Sequence, residues 1–374
     1  MRILMLANHL NRGGIAAYML GLCRFLVKDG DLQFYVASRG GELEHEFVAL
    51  GIKHIKIPLK TKCEVSLKVF FSFFKLFRLT KNEIDLIHAN TRVTQVLAAL
   101  LSFFSGKPYI STCHGFFKTR FFRRFLPCWG QKVIAISDQV ADHLVKDFHV
   151  DPGRVVLIYN GVDVDRFAAT SSGLGCSLKQ ELGLDPAKKI IGHIGRLSSV
   201  KGQKYLILAA RELLKKRRDI QFLIIGDGKE EAYLKALIQQ DSLGADVLLC
   251  PSVADTANAL SIMDIFVMPS IQEGLGISIL EAQASGVAVV GSKVGGIPTV
   301  IQDGRTGLLC GPKDVSSLVA SLETLLDQKD LRDSIITNAK AHVREKFSLR
   351  GMAEKTRDIY KVFYPAFACK VARF

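Results

Sequence analysis

Short apolar runs alternate with longer amphipathic stretches along the chain, and their spacing predicts two successive β/α arrays. Strands are expected at 3–6, 33–37, 52–57, 84–88, 109–112, 133–136 and 155–159. A second series is expected at 190–195, 221–225, 247–249, 265–268, 287–290 and 307–309. Strand and helix alternating in this way imply a doubly wound parallel sheet in each half. A chain of 374 residues also exceeds what one hydrophobic core organises, so two domains are expected. The Ser-Ser-Gly-Leu-Gly stretch at 171–175 marks the break between them. The fold class is therefore α/β, with two Rossmann-like domains facing across a cleft and ligands at the carboxyl ends of the strands.

Glu273 and Glu281 stand at such a strand end, separated by seven residues. The strand 265–268 is stopped by Pro269 and Ser270, and a helix is expected from about 277 to 284. A helix start offers backbone N–H groups to an anion or to hydroxyls, and Gly274 and Gly276 let a ligand approach the main chain. Glu281 lies five residues into the helix, about 8 Å of rise beyond the turn. The two carboxylates can hold opposite ends of one elongated ligand. Taken alone, an acid in the first turns of a helix is equally well a partner for the helix dipole.

Three other places carry candidate chemistry. Arg196 and Lys201 flank the loop after the first strand of the second half, two cations beside a helix that starts near Gln203. They suit a diphosphate; by composition alone they suit a solvated basic turn as well. Gly13 and Gly14 end the loop after the first strand, where N–H groups can line an anion or simply make a tight turn. His114 follows the run 109–113 and points from a strand end toward the expected cleft, whereas His88, also at a strand end, suits packing or a loop hydrogen bond.

The run Glu-Gly-Leu-Gly-Ile-Ser-Ile-Leu-Glu at 273–281 resembles the E-x7-E signature of retaining glycosyltransferases with the GT-B fold. The rest of the chain is similar to glycosyltransferase family 4, in order: Gly13-Gly14, the segment 158–163 with Asn160, Gly195-Arg196 with Lys201-Gly202, Gly226-Asp227-Gly228, and Gly295-Gly296-Ile297-Pro298. The resemblance implies an acceptor-binding domain over 1–165, a nucleotide-sugar domain over 166–351, and a last helix, about 352–374, that returns to the first domain. It implies that His114, Arg196, Lys201 and Glu273 serve catalysis, with Glu273 on the donor sugar. It also implies that Gly13, Gly14, Asn160, Gly226, Gly274, Leu275, Gly276 and Glu281 bind the nucleotide-sugar, Glu281 through the ribose. Leu275 departs from the aromatic residue more usual in the family, which bears on the choice of sugar. The resemblance implies no cofactor and no metal, the two cations taking the electrophilic role. Asp163-Val164-Asp165 spells a D-x-D pattern, yet it lies in the family's interdomain segment, where turn and capping roles fit better.

Charge adds a partner. The formal charge is +14, and residues 53–132 hold fifteen Lys or Arg against Glu64, Glu83 and Asp85, a local excess of +12. Such a field attracts anionic lipid, glycan or nucleic acid. At 64–79 the polar positions Glu64, Lys68, Ser72, Lys75 and Arg78 form a narrow stripe on an apolar helix, equally suited to burial and to a membrane. At 116–126, Phe116, Phe117, Phe121, Phe122 and Phe125 interleave with Lys118, Arg120, Arg123 and Arg124, a mixture that suits an interface. An anionic membrane surface is the expected partner beside a nucleotide-sugar donor and a glycan or glycolipid acceptor, and nucleic acid is not expected. Eight scattered cysteines without metal-ligand spacing fit a reduced, cytoplasmic setting, peripheral on the inner face of the membrane. Two alternatives stay open from sequence: a sugar-nucleotide 2-epimerase of the same fold, and a non-catalytic basic membrane- or nucleic-acid-binding protein.

Overall fold

The first apolar run forms β1 (Arg2–Leu6), whose side chains alternate between two buried clusters, Ile3 and Met5 in one and Leu4 and Leu6 in the other. Burial on both faces is why the run is continuous rather than alternating. This computed structural model describes residues 1–59, 61, 63, 64, 66–119, 127–169, 175–253 and 255–364. β2 (Gln33–Ser38), β3 (Lys53–Lys56), β4 (Leu86–Ala89), β5 (Tyr109–Cys113), β6 (Lys132–Ala135) and β7 (Val155–Leu157) complete a parallel sheet of order β3-β2-β1-β4-β5-β6-β7. The chain winds outward from β1 to β3, then returns to place β4 on the other side of β1. That reversal is a topological switch point.

The second unit repeats the plan. β8 (Lys189–Ile194), β9 (Ile220–Ile225), β10 (Val247–Cys250), β11 (Ile265–Met268), β12 (Ala288–Ser292) and β13 (Leu308–Cys310) are parallel, in the order β10-β9-β8-β11-β12-β13. Its switch point lies between β8 and β11. Ile191, Phe222, Ile224, Ile265 and Val267 form one face of its core with Leu206, Leu213 and Leu322 from the covering helices.

The chain divides into Met1–Gly161 with Leu349–Phe374, and Val162–Ser348. The crossing therefore falls at 161/162, ahead of the Ser-Ser-Gly-Leu-Gly stretch, of which 171–174 lie outside the described residues. Backbone pairing explains the position: Val162 N–H donates to Phe347 O at 2.9 Å, and Val162 bridges Ser348, so the second unit begins and ends with these two strands of chain joined. Asp163 caps the helix Val164–Ala169, its Oδ1 accepting from Arg166 N–H at 3.2 Å, while Asp165 pairs with Arg344 at 3.0 Å. The last helix among the described residues, Leu349–Val362, buries Met352, Ala353 and Tyr360 in the first unit's core, and residues 365–374 of the expected 352–374 helix lie outside the described residues.

One face that the sequence left open is decided by the packing. The helix of the 64–79 region runs Leu67–Glu83 and buries Ser72, whose hydroxyl donates to Lys68 O at 2.7 Å, while Leu67, Phe70, Phe71 and Phe74 are exposed. The polar stripe is therefore not the water-facing side throughout. Of the 116–126 stretch, Phe116 packs on His143 and Phe117 on Trp129, both half-buried, and 120–126 lie outside the described residues.

Candidate active site

At the switch point of the second unit, β8 and β11 are neighbours, so the loops leaving their carboxyl ends begin side by side. The backbone then joins them: Ile271 N–H and Gln272 N–H donate to Val200 O at 2.8 and 3.3 Å. This brings Lys201 Nζ to 2.5 Å from Glu273 Oε2, with the two side chains only 20 % and 15 % exposed. Glu273 Oε1 accepts from Gly274 N–H at 3.2 Å, which fixes the carboxylate against its own turn.

Gly202 makes the approach possible. It adopts φ 70°, and a Cβ there would stand 2.0 Å from the Pro269 carbonyl oxygen. The helix Gln203–Lys216 starts directly after it, and the helix Ile277–Ser285 starts after Gly276; neither has a side-chain cap on its first turn. Their first-turn amides carry the positive end of the helix dipole toward the Lys201–Glu273 pair.

A buried histidine supports the loop from below. His193, fully buried in β8, places Nδ1 2.8 Å from Val267 O. A carbonyl only accepts, so Nδ1 carries the proton and Nε2 accepts from Gln203 Nε2–H at 3.2 Å. The same amide donates to Arg196 O at 2.9 Å, which locks the start of the loop. Burial pushes His193 down to about 4, so it stays neutral at physiological pH.

Glu281 occupies the next turns of the Ile277–Ser285 helix, half-buried, in a different setting from Glu273. Loss of solvation pushes its carboxyl up to about 7 against the opposing pull of the Thr256 hydroxyl and Arg166, with Asp255 adding to the rise. Arg166 is itself paired with Asp255 at 2.9 Å, and Asp255 caps the helix Thr256–Leu260 through Ala257 N–H at 3.0 Å. Glu281 thus titrates near neutrality.

The remaining expected residues of this unit lie at strand ends and in the turn after β11. Arg196 has an exposed side chain at the loop start. Gly226 follows β9 and donates its N–H to Cys250 O at 3.0 Å. Leu275, expected to touch a ligand, is 1 % exposed, a core residue that anchors the turn. Gly296 N–H donates to Glu273 O at 3.0 Å and braces the same turn. Sequence reasoning named Lys201 and Glu273 separately and missed their pairing, the His193–Gln203 lock and the Arg166–Asp255 partners of Glu281. The one available signal was a histidine inside the apolar run 190–194.

In the first unit the strand ends form their own cluster. His114 Nε2 lies 3.4 Å from Asn90 Oδ1, and its ring meets Tyr18 edge-on at 4.8 Å. Asn90 Nδ2 donates to the Leu6 and His88 carbonyls, so its Oδ1 accepts and His114 Nδ1 is left as an acceptor. Burial pushes His114 down to about 3, a neutral hydrogen-bonding group rather than a cation. Gly13 and Gly14, both exposed, begin the helix Gly14–Leu26 that carries Tyr18. His88 is fully buried between the Tyr360 hydroxyl and Thr112 Oγ1, each at 2.7 Å, which is the packing role. Asn160 is 2 % exposed, and its Oδ1 has no hydrogen-bond partner among the described residues.

Two doubly wound units, the second carrying a cation–carboxylate pair at its switch point, match the architecture that the resemblance to GT-B glycosyltransferases implies. Residues 12–166 match the family model described as Glycosyltransferase Family 4, and residues 177–342 the model described as Glycosyl transferases group 1. The chain belongs to this glycosyltransferase family and is a transferase enzyme. It is 28 % identical over 370 residues, 94 % of each chain, to the uncharacterized glycosyltransferase MJ1607 of Methanocaldococcus jannaschii. It is 28 % identical over 311 residues, 79 % of each chain, to the UDP-Gal:alpha-D-GlcNAc-diphosphoundecaprenol alpha-1,3-galactosyltransferase of Escherichia coli. Among solved structures, Anabaena Alr3699/HepE in complex with UDP-glucose shares the fold, with a TM-score of 0.86, 22 % identity, and coverage of 97 % of this chain and 100 % of that one.

Proposed function

We propose that the enzyme moves a hexosyl group from a nucleoside diphosphate sugar to a hydroxyl of a lipid-linked glycan, with retention of anomeric configuration. The observation that carries this reading is the Lys201–Glu273 pair set between two uncapped helix starts. A diphosphate meets a cation and amide dipoles there, while the neighbouring carboxylate is placed for sugar hydroxyls. The UDP-glucose of the HepE complex and the lipid-linked acceptor of the E. coli relative support the substrate classes.

In the proposed step the bond from the anomeric carbon to the β-phosphate oxygen breaks and the bond to the acceptor oxygen forms on the same face. The acceptor proton passes to the departing phosphate. Negative charge grows on that phosphate, and Lys201 with Arg196 stabilises it, the role a metal has in other transferases. Glu273 holds the sugar and its charge favours an oxocarbenium-like transition state. Release of nucleoside diphosphate dependent on acceptor, with an α-linked product from an α-linked donor, is the expected assay result. A β-linked product would refute retention, and conversion of donor without acceptor would point to the epimerase.

Glu281 gives the donor site a pH dependence. If its carboxylate accepts the ribose hydroxyls, donor KM should fall as pH rises through about 7. Stability moves the other way: between 4.5 and about 7 the folded chain keeps a proton that the unfolded chain has lost, so this group lowers stability as pH rises. Glu281→Gln should flatten both profiles. A variant with the wild-type KM profile would remove Glu281 from the donor site.

A further inference from the structure

The helix Leu67–Glu83 carries more apolar residues than its packed face accommodates. Val69, Phe73 and Leu76 are buried, but Leu67, Phe70, Phe71 and Phe74 are 75, 54, 62 and 58 % exposed. Phe103 and Phe104, at the end of the helix Arg92–Ser105, are 82 and 56 % exposed. These rings make one surface. Phe70 packs on Phe74 at 4.6 Å between centroids, Phe74 on Phe73 at 5.3 Å, Phe73 on Phe104 at 5.3 Å, and Phe104 on Phe103 at 5.1 Å. A contiguous exposed aromatic patch on a folded domain marks an interaction site, because folding alone gains nothing from it.

Its charge selects the partner. Lys68, Lys75, Arg78 and Lys81 are exposed on the same helix, Lys68 and Lys75 along one edge of the aromatic band and Arg78 and Lys81 continuing it. The acid in Leu67–Glu83 is its last residue, Glu83, which accepts from the Tyr35 hydroxyl at 3.3 Å, and Arg92–Ser105 contains none. With an excess of +12 over residues 53–132, a second copy of this face would be repelled, whereas an anionic surface is attracted. The rings also pack edge-on against one another along helix faces, unlike the separate stacking platforms that single-stranded nucleic acid uses.

We propose that this face seats the first unit on a bilayer containing anionic lipid. The phenylalanine rings enter the boundary between headgroups and acyl chains, and the lysine and arginine side chains lie among the lipid phosphates. Lipid binding is read with neither donor nor acceptor present, so its outcome is independent of the proposed transfer reaction.

Flotation of the full chain with phosphatidylcholine vesicles, with or without phosphatidylglycerol, tests it. Wild type should partition at least about tenfold better onto the anionic vesicles. The combined variant Phe70→Ser, Phe71→Ser, Phe103→Ser should lose at least about tenfold of that binding while still melting cooperatively, since more than half of each ring is exposed and only edge contacts with Phe74 and Phe104 are lost. Lys75→Glu with Arg78→Glu should lose the preference for anionic lipid. Full binding by the aromatic variant would overturn the proposal. So would a wild-type dimer that the variant abolishes without any vesicle binding, or release from vesicles by an oligothymidylate with no requirement for the rings.

Discussion

Replacing Lys201 by alanine should lower kcat for transfer by about 10²–10³-fold, the usual loss when one preorganised electrostatic group is removed from a developing charge. The fall should lie in kcat more than in donor KM, because charge on the leaving phosphate grows only as the bond breaks. Lys201→Arg should recover part of the loss, since it keeps the charge but not the compact ammonium. Stability should drop by about 1–3 kcal/mol, as the Glu273 carboxylate keeps Gly274 N–H but loses its counter-charge. Steady-state kinetics with a thermal melt separates the effects. Activity within a few-fold of wild type, with the stability loss present, would make Lys201 a structural partner of Glu273 and nothing more.

Gly202→Ala should be at least as damaging by another route. The new Cβ meets the Pro269 carbonyl oxygen at 2.0 Å, a backbone atom that cannot swing away. Relief requires the β8 and β11 loops to part, which breaks the Val200 hydrogen bonds and the Lys201–Glu273 pair together. A cost of about 2–4 kcal/mol and near-complete loss of transfer are expected. Gly183→Ala is the control: its φ is 71° with nothing within 4 Å of the new Cβ, so it isolates the left-handed backbone cost of about 1–2 kcal/mol. If the two variants melt alike and both retain activity, the close approach at Gly202 has no role in shaping the site.

The β/α rhythm was legible because parallel strands buried on both faces leave continuous apolar runs; 265–268, for example, coincides with β11. Which side of an all-round apolar helix faces water was not legible. Ser72 was counted in the polar stripe, and its hydroxyl satisfies itself on the Lys68 carbonyl and is buried, while phenylalanines lie at the surface. The site was legible as residues but not as an arrangement. Lys201 and Glu273 lie 72 positions apart, and they meet because β11 returns to the side of β8, a strand order that local sequence does not encode. Leu275 was placed at the ligand by its neighbours in the motif, while its apolar side chain follows the hydrophobic effect into the core. Glu281 looks like an ordinary helix acid in sequence, and its upward shift comes from burial that only the folded unit creates.

In the proposed reaction Lys201 and the two helix starts grip the diphosphate of the donor. A crystal structure with an accepted sugar nucleotide tests it most directly. Phosphate oxygens are expected within about 3 Å of Lys201 Nζ and of first-turn amides of Ile277–Ser285, with the ribose at Glu281. A bound donor whose diphosphate touches neither, leaving Lys201 still paired only with Glu273, would contradict it.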